Sequence, residues 1–263
     1  MLTEIARSVN ILGDFCGMRD LDRPSRECLR GKYSTERADV AVLFGASIVC
    51  GGDVLAHAVH EDIARNYVIV GGEGHTTPTL RAKVHSLYPE IVTEGKPEAQ
   101  VFAAYIKRRY GLDVSLLECN STNCGNNITL LLDLLRSKSL PHQSFILIQD
   151  ATMQRRMDAG LRKYASPGTT IINYASYSAE VIAAADRLVF RDAIPGMWDM
   201  EHYIGLLLGE IPRLNDTEEG YGPNGKGFIS HVDVPAEVLS AYSALQKKYS
   251  ACVRQADPRY ASK

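Results

Sequence analysis

Residues 118–127 read Glu118-Cys119-Asn120-Ser121-Thr122-Asn123-Cys124-Gly125-Asn126-Asn127. A carboxylate, hydroxyls, amides and a glycine crowd into ten positions. A carboxylate accepts hydrogen bonds from hydroxyl or amine groups, and side-chain amides both donate and accept. Such a set suits the holding of a small polar or anionic molecule. The apolar run at residues 114–117 precedes it, and an amphipathic run at residues 128–135 follows. The pattern is strand, polar turn, helix. In open α/β sheets, ligands bind at the carboxyl ends of strands, where helix N-termini present free N–H groups. Ser121, Thr122, Asn123, Asn126 and Asn127 could each cap the helix, an interaction of about 0.5–2 kcal/mol. A helix has one N-cap, so the surplus points to a ligand.

Three further strand-to-helix junctions carry polar groups: Gly45-Ala46-Ser47, Gly71-Gly72-Glu73-Gly74-His75, and Gln149-Asp150-Ala151-Thr152-Met153-Gln154-Arg155-Arg156. In a parallel sheet, all four converge on one edge. Gly45, Gly71, Gly72 and Gly74 let backbone N–H groups approach a ligand, and equally serve tight turns. His75 and Asp150 are the candidate acid–base residues. The planar forks of Arg155 and Arg156 suit a carboxylate or phosphate. Adjacent helix positions diverge by about 100°, so at most one of the two faces the crevice. Glu73, Glu98, Glu118 and Asp150 are oxygen donors of the kind that hold Mg²⁺. No ligand spacing supports that use, and no metal is expected. The dinucleotide fingerprint, the P-loop, the zinc-protease motif and the nucleophile elbow are all absent.

The elements that would position these groups follow from periodicity. Continuous apolar strands are predicted at residues 39–44, 67–70, 114–117, 145–149 and 170–174, with a short sixth at 188–190. Helices are predicted at residues 3–13, 78–87, 97–110, 152–164, 198–208 and 235–249. A helical stripe of Val54, Leu55, Ala58, Val59 and Ile63 follows the first strand. Residues 14–37 read as an irregular lead-in, and residues 228–234 as extended. Strands apolar along their whole length, separated by helices, indicate a parallel sheet covered on both faces. The expected organisation is a lead-in at 1–37, an α/β core at 38–192, and a C-terminal extension or small lobe at 193–263 that packs on the core.

The 263 residues carry 45% hydrophobic and 23% charged side chains and a net charge of −2. That balance gives one good core and no electrostatic footprint for nucleic acid. No window reaches the ~20 apolar residues of a membrane span. The N-terminal residues lack the pattern of a secretion signal. The cysteines, at positions 16, 28, 50, 119, 124 and 252, form no C-x-x-C pair and read as reduced thiols, so the expected location is cytoplasmic. Cys119 and Cys124 read as small packing residues rather than reactive thiols.

Taken together, these residues resemble the YdcF proteins, a branch of the SanA/ElyC/YdcF superfamily, a bacterial domain of unknown function. The superfamily signature is a glutamate, a serine and an Asn-Thr-x-Glu-Asn-like helix start. It stands here as Glu118, Ser121, Asn123, Cys124, Asn126 and Asn127. The second mark is a strand ending in Gln149-Asp150, with Thr152, Met153, Gln154, Arg155 and Arg156 after it. The Gly71, Gly72, Gly74 and His75 turn and the Glu98-Ala99 helix start also match. So do Gly209-Glu210-Ile211-Pro212-Arg213-Leu214, Gly220-Tyr221-Gly222-Pro223 and His231-Val232-Asp233-Val234-Pro235-Ala236-Glu237-Val238. The likeness runs from residue 38 to 245. It departs at Asn126, where the signature has a glutamate.

The resemblance implies a Rossmann-like α/β fold and binding of S-adenosylmethionine, without implying methyl transfer. The expectation is a small-molecule-binding protein that takes S-adenosylmethionine or a similar nucleoside at the strand ends. Its site residues would be Gly45, Gly71, Gly72, Gly74, His75, Glu118, Ser121, Asn123, Asn127, Gln149, Asp150, Thr152, Met153, Arg155 and Arg156. Glu118 or Glu73 would take the ribose hydroxyls. The alternative is a hydrolase or transferase acting on a phosphorylated or carboxylated metabolite, linked to the cell envelope. Asp150 or His75 would then move the proton, while Arg155 or Arg156 holds the anion.

Overall fold

The computed structural model describes residues 1–46 and 48–250; Ser47 and Cys252 lie outside the described residues. The chain opens with helices α1 (Leu2–Cys16) and α2 (Arg26–Tyr33). The core then alternates β1 (Ala38–Phe44), α3 (Cys50–His60), β2 (Ala64–Val70), α4 (Thr77–Leu87), α5 (Glu98–Tyr110), β3 (Leu116–Glu118), α6 (Cys124–Ser137), β4 (Ser144–Ile148), α7 (Gln154–Tyr164) and β5 (Thr170–Asn173). A hairpin, β6 (Val181–Ala184) and β7 (Arg187–Phe190), precedes α8 (Met200–Leu214) and α9 (Ala236–Tyr249).

The first five strands form one parallel sheet in the order β3-β2-β1-β4-β5. This is a doubly wound, Rossmann-like α/β fold with helices on both faces. Alternation along the strands divides the core. Ala41, Leu43 and Ile69 face Leu55, Leu80, Phe102 and Tyr105 from α3, α4 and α5. Val40, Val42, Phe44 and Val68 face Ile128, Leu131, Met157 and Leu161 from α6 and α7. Both faces are therefore apolar, which is why the strands read as unbroken runs. The chain winds from β1 through β2 to β3 on one side, and through β4 to β5 on the other. The reversal lies between β1 and β4, where such sheets open a crevice at the carboxyl ends.

Three segments differ from the sequence expectation. The run at residues 188–190 joins no main-sheet strand. It belongs to β7, which pairs antiparallel with β6 alone. The side chain of Asn10 on α1 donates to the carbonyl of Val181 (2.9 Å) and accepts from its N–H (2.7 Å), taking the place of a strand partner. The lead-in contains α2, capped by Ser25, whose hydroxyl accepts from the Cys28 N–H at 3.3 Å. Leu29 is its one buried residue, so no apolar stripe announced it. Residues 228–234 form no strand; Ser230 is fastened to the carbonyl of Ala159 on α7 through its N–H and its hydroxyl.

The first and the last two described helices share a third apolar cluster. Val9, Leu12 and Phe15 of α1 pack with Ile204, Leu208 and Ile211 of α8 and with Val238 and Leu245 of α9. Among the described residues, no helix is long and apolar enough to cross a membrane. One buried ion pair ties this layer to the core. Arg156 on α7 donates from Nε (2.5 Å) and Nη2 (2.9 Å) to the carboxylate of Glu210 on α8, and both side chains are nearly sealed from solvent. Arg156→Met leaves the buried carboxylate only Arg213, at 3.9 Å, and is expected to cost about 3 kcal/mol in urea unfolding. Arg156→Met with Glu210→Leu should recover most of that loss; equal loss in both variants would show that packing, not charge, dominates.

Candidate functional site at the strand ends

The exits of β1, β2 and β3 are stitched together in step. The Gly45 N–H donates to the Val70 carbonyl (2.6 Å), and the Gly71 N–H to that of Glu118 (2.9 Å). The Gly72 N–H donates to the Ser121 hydroxyl at 3.1 Å. Helix α5 has no side-chain cap. Its first N–H groups, at Glu98 and Ala99, instead donate to the carbonyls of Gly72 (2.9 Å) and Gly71 (2.8 Å). The turns pass so close that glycine is required. A Cβ at Gly45 would collide with the Glu98 carboxylate, and one at Gly72 with the Ser121 carbonyl.

Glu98 itself is buried beneath this junction. Its Oε1 accepts from the hydroxyls of Thr77 (2.8 Å) and Thr76 (3.2 Å). Burial pushes its carboxyl above the usual range, and the two threonine hydroxyls oppose that.

At the end of β3, Glu118 curls over its own turn. Oε1 accepts from the N–H groups of Asn120 (2.6 Å) and Ser121 (3.1 Å). Oε2 is buried without a hydrogen-bond partner. Asn123 is the N-cap of α6 and forms a capping box with Asn126. Asn126 Oδ1 accepts from the N–H groups of both Asn123 and Thr122, each at 2.9 Å. Asn126 thus performs a capping task. Asn127 lies buried in the first turn of α6.

Across the switch point, the end of β4 is equally ordered. The Gln149 N–H donates to Gln154 Oε1 at 2.9 Å, and the Asp150 N–H to Gln149 Oε1 at 2.6 Å. That bond fixes the orientation of the Gln149 amide and leaves Nε2 buried without a partner. Asp150 is saturated. Its Oδ1 accepts from the Thr152 N–H (2.9 Å), the Thr152 hydroxyl (2.8 Å) and the Tyr177 hydroxyl (2.8 Å); Oδ2 accepts from Trp198 Nε1 (3.3 Å). Burial and the Asp150 charge hold the Tyr177 hydroxyl well above its ordinary pKa. The neighbouring Cys50 thiol is pushed up to about 12, first by burial and then by Asp150.

The structure therefore gathers Gly45, Gly71, Gly72, Glu118 and Ser121 on one side of the switch point. Gln149, Asp150 and Thr152 stand on the other, and Met153 precedes α7. Gly74 and His75 stand in the turn leading to α4, with His75 exposed. Glu73 is exposed and paired with Arg81 at 2.9 Å. Neither arginine is presented to the strand ends. Arg155 donates to the Phe15 carbonyl and lies 4.1 Å over the Phe15 ring, and Arg156 holds Glu210. Among the described residues, no three His, Cys, Asp or Glu side chains gather to hold a metal ion.

Tyr177, Trp198 and Lys83 escaped the sequence reading. Tyr177 follows Asn173-Tyr174-Ala175-Ser176 at the exit of β5, a fifth polar strand exit that could have been read. Trp198, the only tryptophan, is expected from the sequence to open a helix at 198–208, but the helix begins at Met200 and Trp198 lies in the segment before it. Two cavities, of about 360 Å³ beside Asp53, His57 and Tyr110 and about 520 Å³ between α1 and β6, are lined by none of the strand-exit residues. A comparison with protein-family models finds none that matches the chain.

The raised carboxyl of Glu98 makes stability depend on pH. The folded state keeps this proton to a higher pH than the unfolded chain, whose glutamates titrate near about 4.3. The contribution is complete below that value and is lost as pH rises through the folded-state value. Glu98→Gln keeps an oxygen for the two threonines and should flatten the fall in melting temperature between about pH 4.3 and neutrality. An unchanged slope would assign the dependence to other groups.

Proposed function

We propose that the chain binds an extended small molecule of nucleoside type, with S-adenosylmethionine as the candidate, across the carboxyl ends of the sheet. One observation carries the reading: Glu118 Oε2 and Gln149 Nε2 are buried at strand ends with no partner. Each such group costs about 1–3 kcal/mol, a penalty that a ligand would remove. One is an acceptor suited to ribose hydroxyls. The other is a donor suited to a carboxylate or a ring nitrogen. They end strands three places apart in the sheet, roughly 14 Å at the usual strand spacing. A lone phosphate cannot reach both, whereas a nucleoside bearing an amino-acid arm spans such a distance. The YdcF resemblance supports the same ligand. A cytoplasmic location, read from cysteine usage, belongs to this proposal. The alternative enzyme needs Arg155 or Arg156 on an anion and Asp150 or His75 on a proton. Both arginines and Asp150 are engaged within the fold.

Titration calorimetry tests this reading with isosteric exchanges. Glu118→Gln still accepts from Asn120 and Ser121 but turns the second oxygen into a donor. Gln149→Glu turns the donor into an acceptor. Each is expected to weaken S-adenosylmethionine binding about tenfold, or ~1.4 kcal/mol, and binding should persist in EDTA. Undiminished affinity in both variants would remove these groups from the site.

A further inference from the structure

Residues 191–199, between β7 and α8, contain no helix or strand, and most of them are exposed. Their course brings them against the groups that follow β1 and β4. Gly196 turns in the left-handed conformation (φ 73°) against Val49, where an added Cβ would stand 3.2 Å from Cγ2. Val49 lies just before α3, on the exit of β1. Trp198 Nε1 reaches Asp150 Oδ2 on the exit of β4 at 3.3 Å, a long bond. The segment therefore touches the groups that follow both strands bordering the reversal.

The third attachment comes from α4. Lys83 Nζ donates to the Gly196 carbonyl at 2.7 Å and sits 4.2 Å from the centre of the Trp198 ring. His202 stacks on Trp198 at 4.4 Å. Among the described residues, Lys83 makes no ion pair within 4 Å. Its contacts are a carbonyl and a ring, both neutral. Partial burial lowers its pKa, and the Asp150 charge acts against that. The ammonium touches neutral groups and feels the Asp150 charge only from a distance, so the fastening is reversible: an anionic group in direct contact competes for it on better terms.

We propose that residues 194–199 form a strap that gates the proposed strand-end site, and that Lys83 is the latch that holds it shut. The proposal deepens the binding reading by giving its site a controlled entrance. Its test uses no ligand, so the strap can fail while the site stands, and the reverse.

Trp198, as the sole tryptophan, reports on the strap directly in the full chain. Lys83→Met keeps the apolar stem and removes the ammonium. It should shift Trp198 emission to longer wavelength and increase its quenching by acrylamide, and Lys83→Arg should restore the wild-type signal. Unchanged emission and quenching in Lys83→Met would overturn the latch. Hydrogen exchange on the wild-type chain supplies a second measurement that no substitution can compromise. The amides of Ile194 and of residues 196–199 should exchange together and ahead of those in α8. Exchange as slow as in α8 would overturn the gate.

Discussion

A parallel sheet delivers all its strand ends to one edge, and the backbone leaving that edge is still buried. Its N–H and C=O groups must find partners there, since an unpaired buried group costs more than a hydrogen bond contributes. The molecule meets this constraint by letting each exit turn satisfy its neighbour. Gly45 bonds to Val70, Gly71 to Glu118, Tyr174 to Leu147 and Ser176 to Gln149. Where backbone cannot reach, Glu118, Ser121, Gln149 and Gln154 supply side-chain partners. Close approach of these turns requires the glycines and buries Glu98 between them. Among the described residues, three buried side-chain atoms at these exits are left without a partner: Glu118 Oε2, Gln149 Nε2 and, beside it, Ser176 Oγ.

Helices from before and after the core complete this edge from outside the sheet. Helix α1 and helices α8 and α9 share one apolar cluster, and they attach to α7 through Arg155 and Arg156. The C-terminal part then brings Trp198 onto Asp150. Asp150, at the head of the α7 turn, is thereby held by groups from β5's exit and from beyond the core. Its carboxylate ties Thr152, Tyr177 and Trp198 to one point.

The alternation of apolar runs with helical stripes made the core legible, because strands buried on both faces must be apolar throughout. The four polar exits were legible for the same reason: polar groups between apolar runs have no packing explanation. What each polar group does was less legible. Asn123 and Asn126 look like ligand amides in the sequence but form a reciprocal cap. Arg155 and Arg156 look like anion-binding forks, yet their partners Phe15 and Glu210 lie 140 and 54 positions away. Local spacing carries no trace of such partners. Lys83 and Trp198 meet only through tertiary packing. The β6–β7 hairpin reads like any short strand until Asn10 is seen beside it.

The central claim is that the strand ends on both sides of the β1–β4 reversal form one binding surface. Hydrogen–deuterium exchange with and without S-adenosylmethionine tests it most directly. The account predicts slowed exchange at residues 71–74, 118–127 and 149–154 together. Protection confined to the cavity beside His57 and Tyr110, or no change at any of these turns, would contradict it.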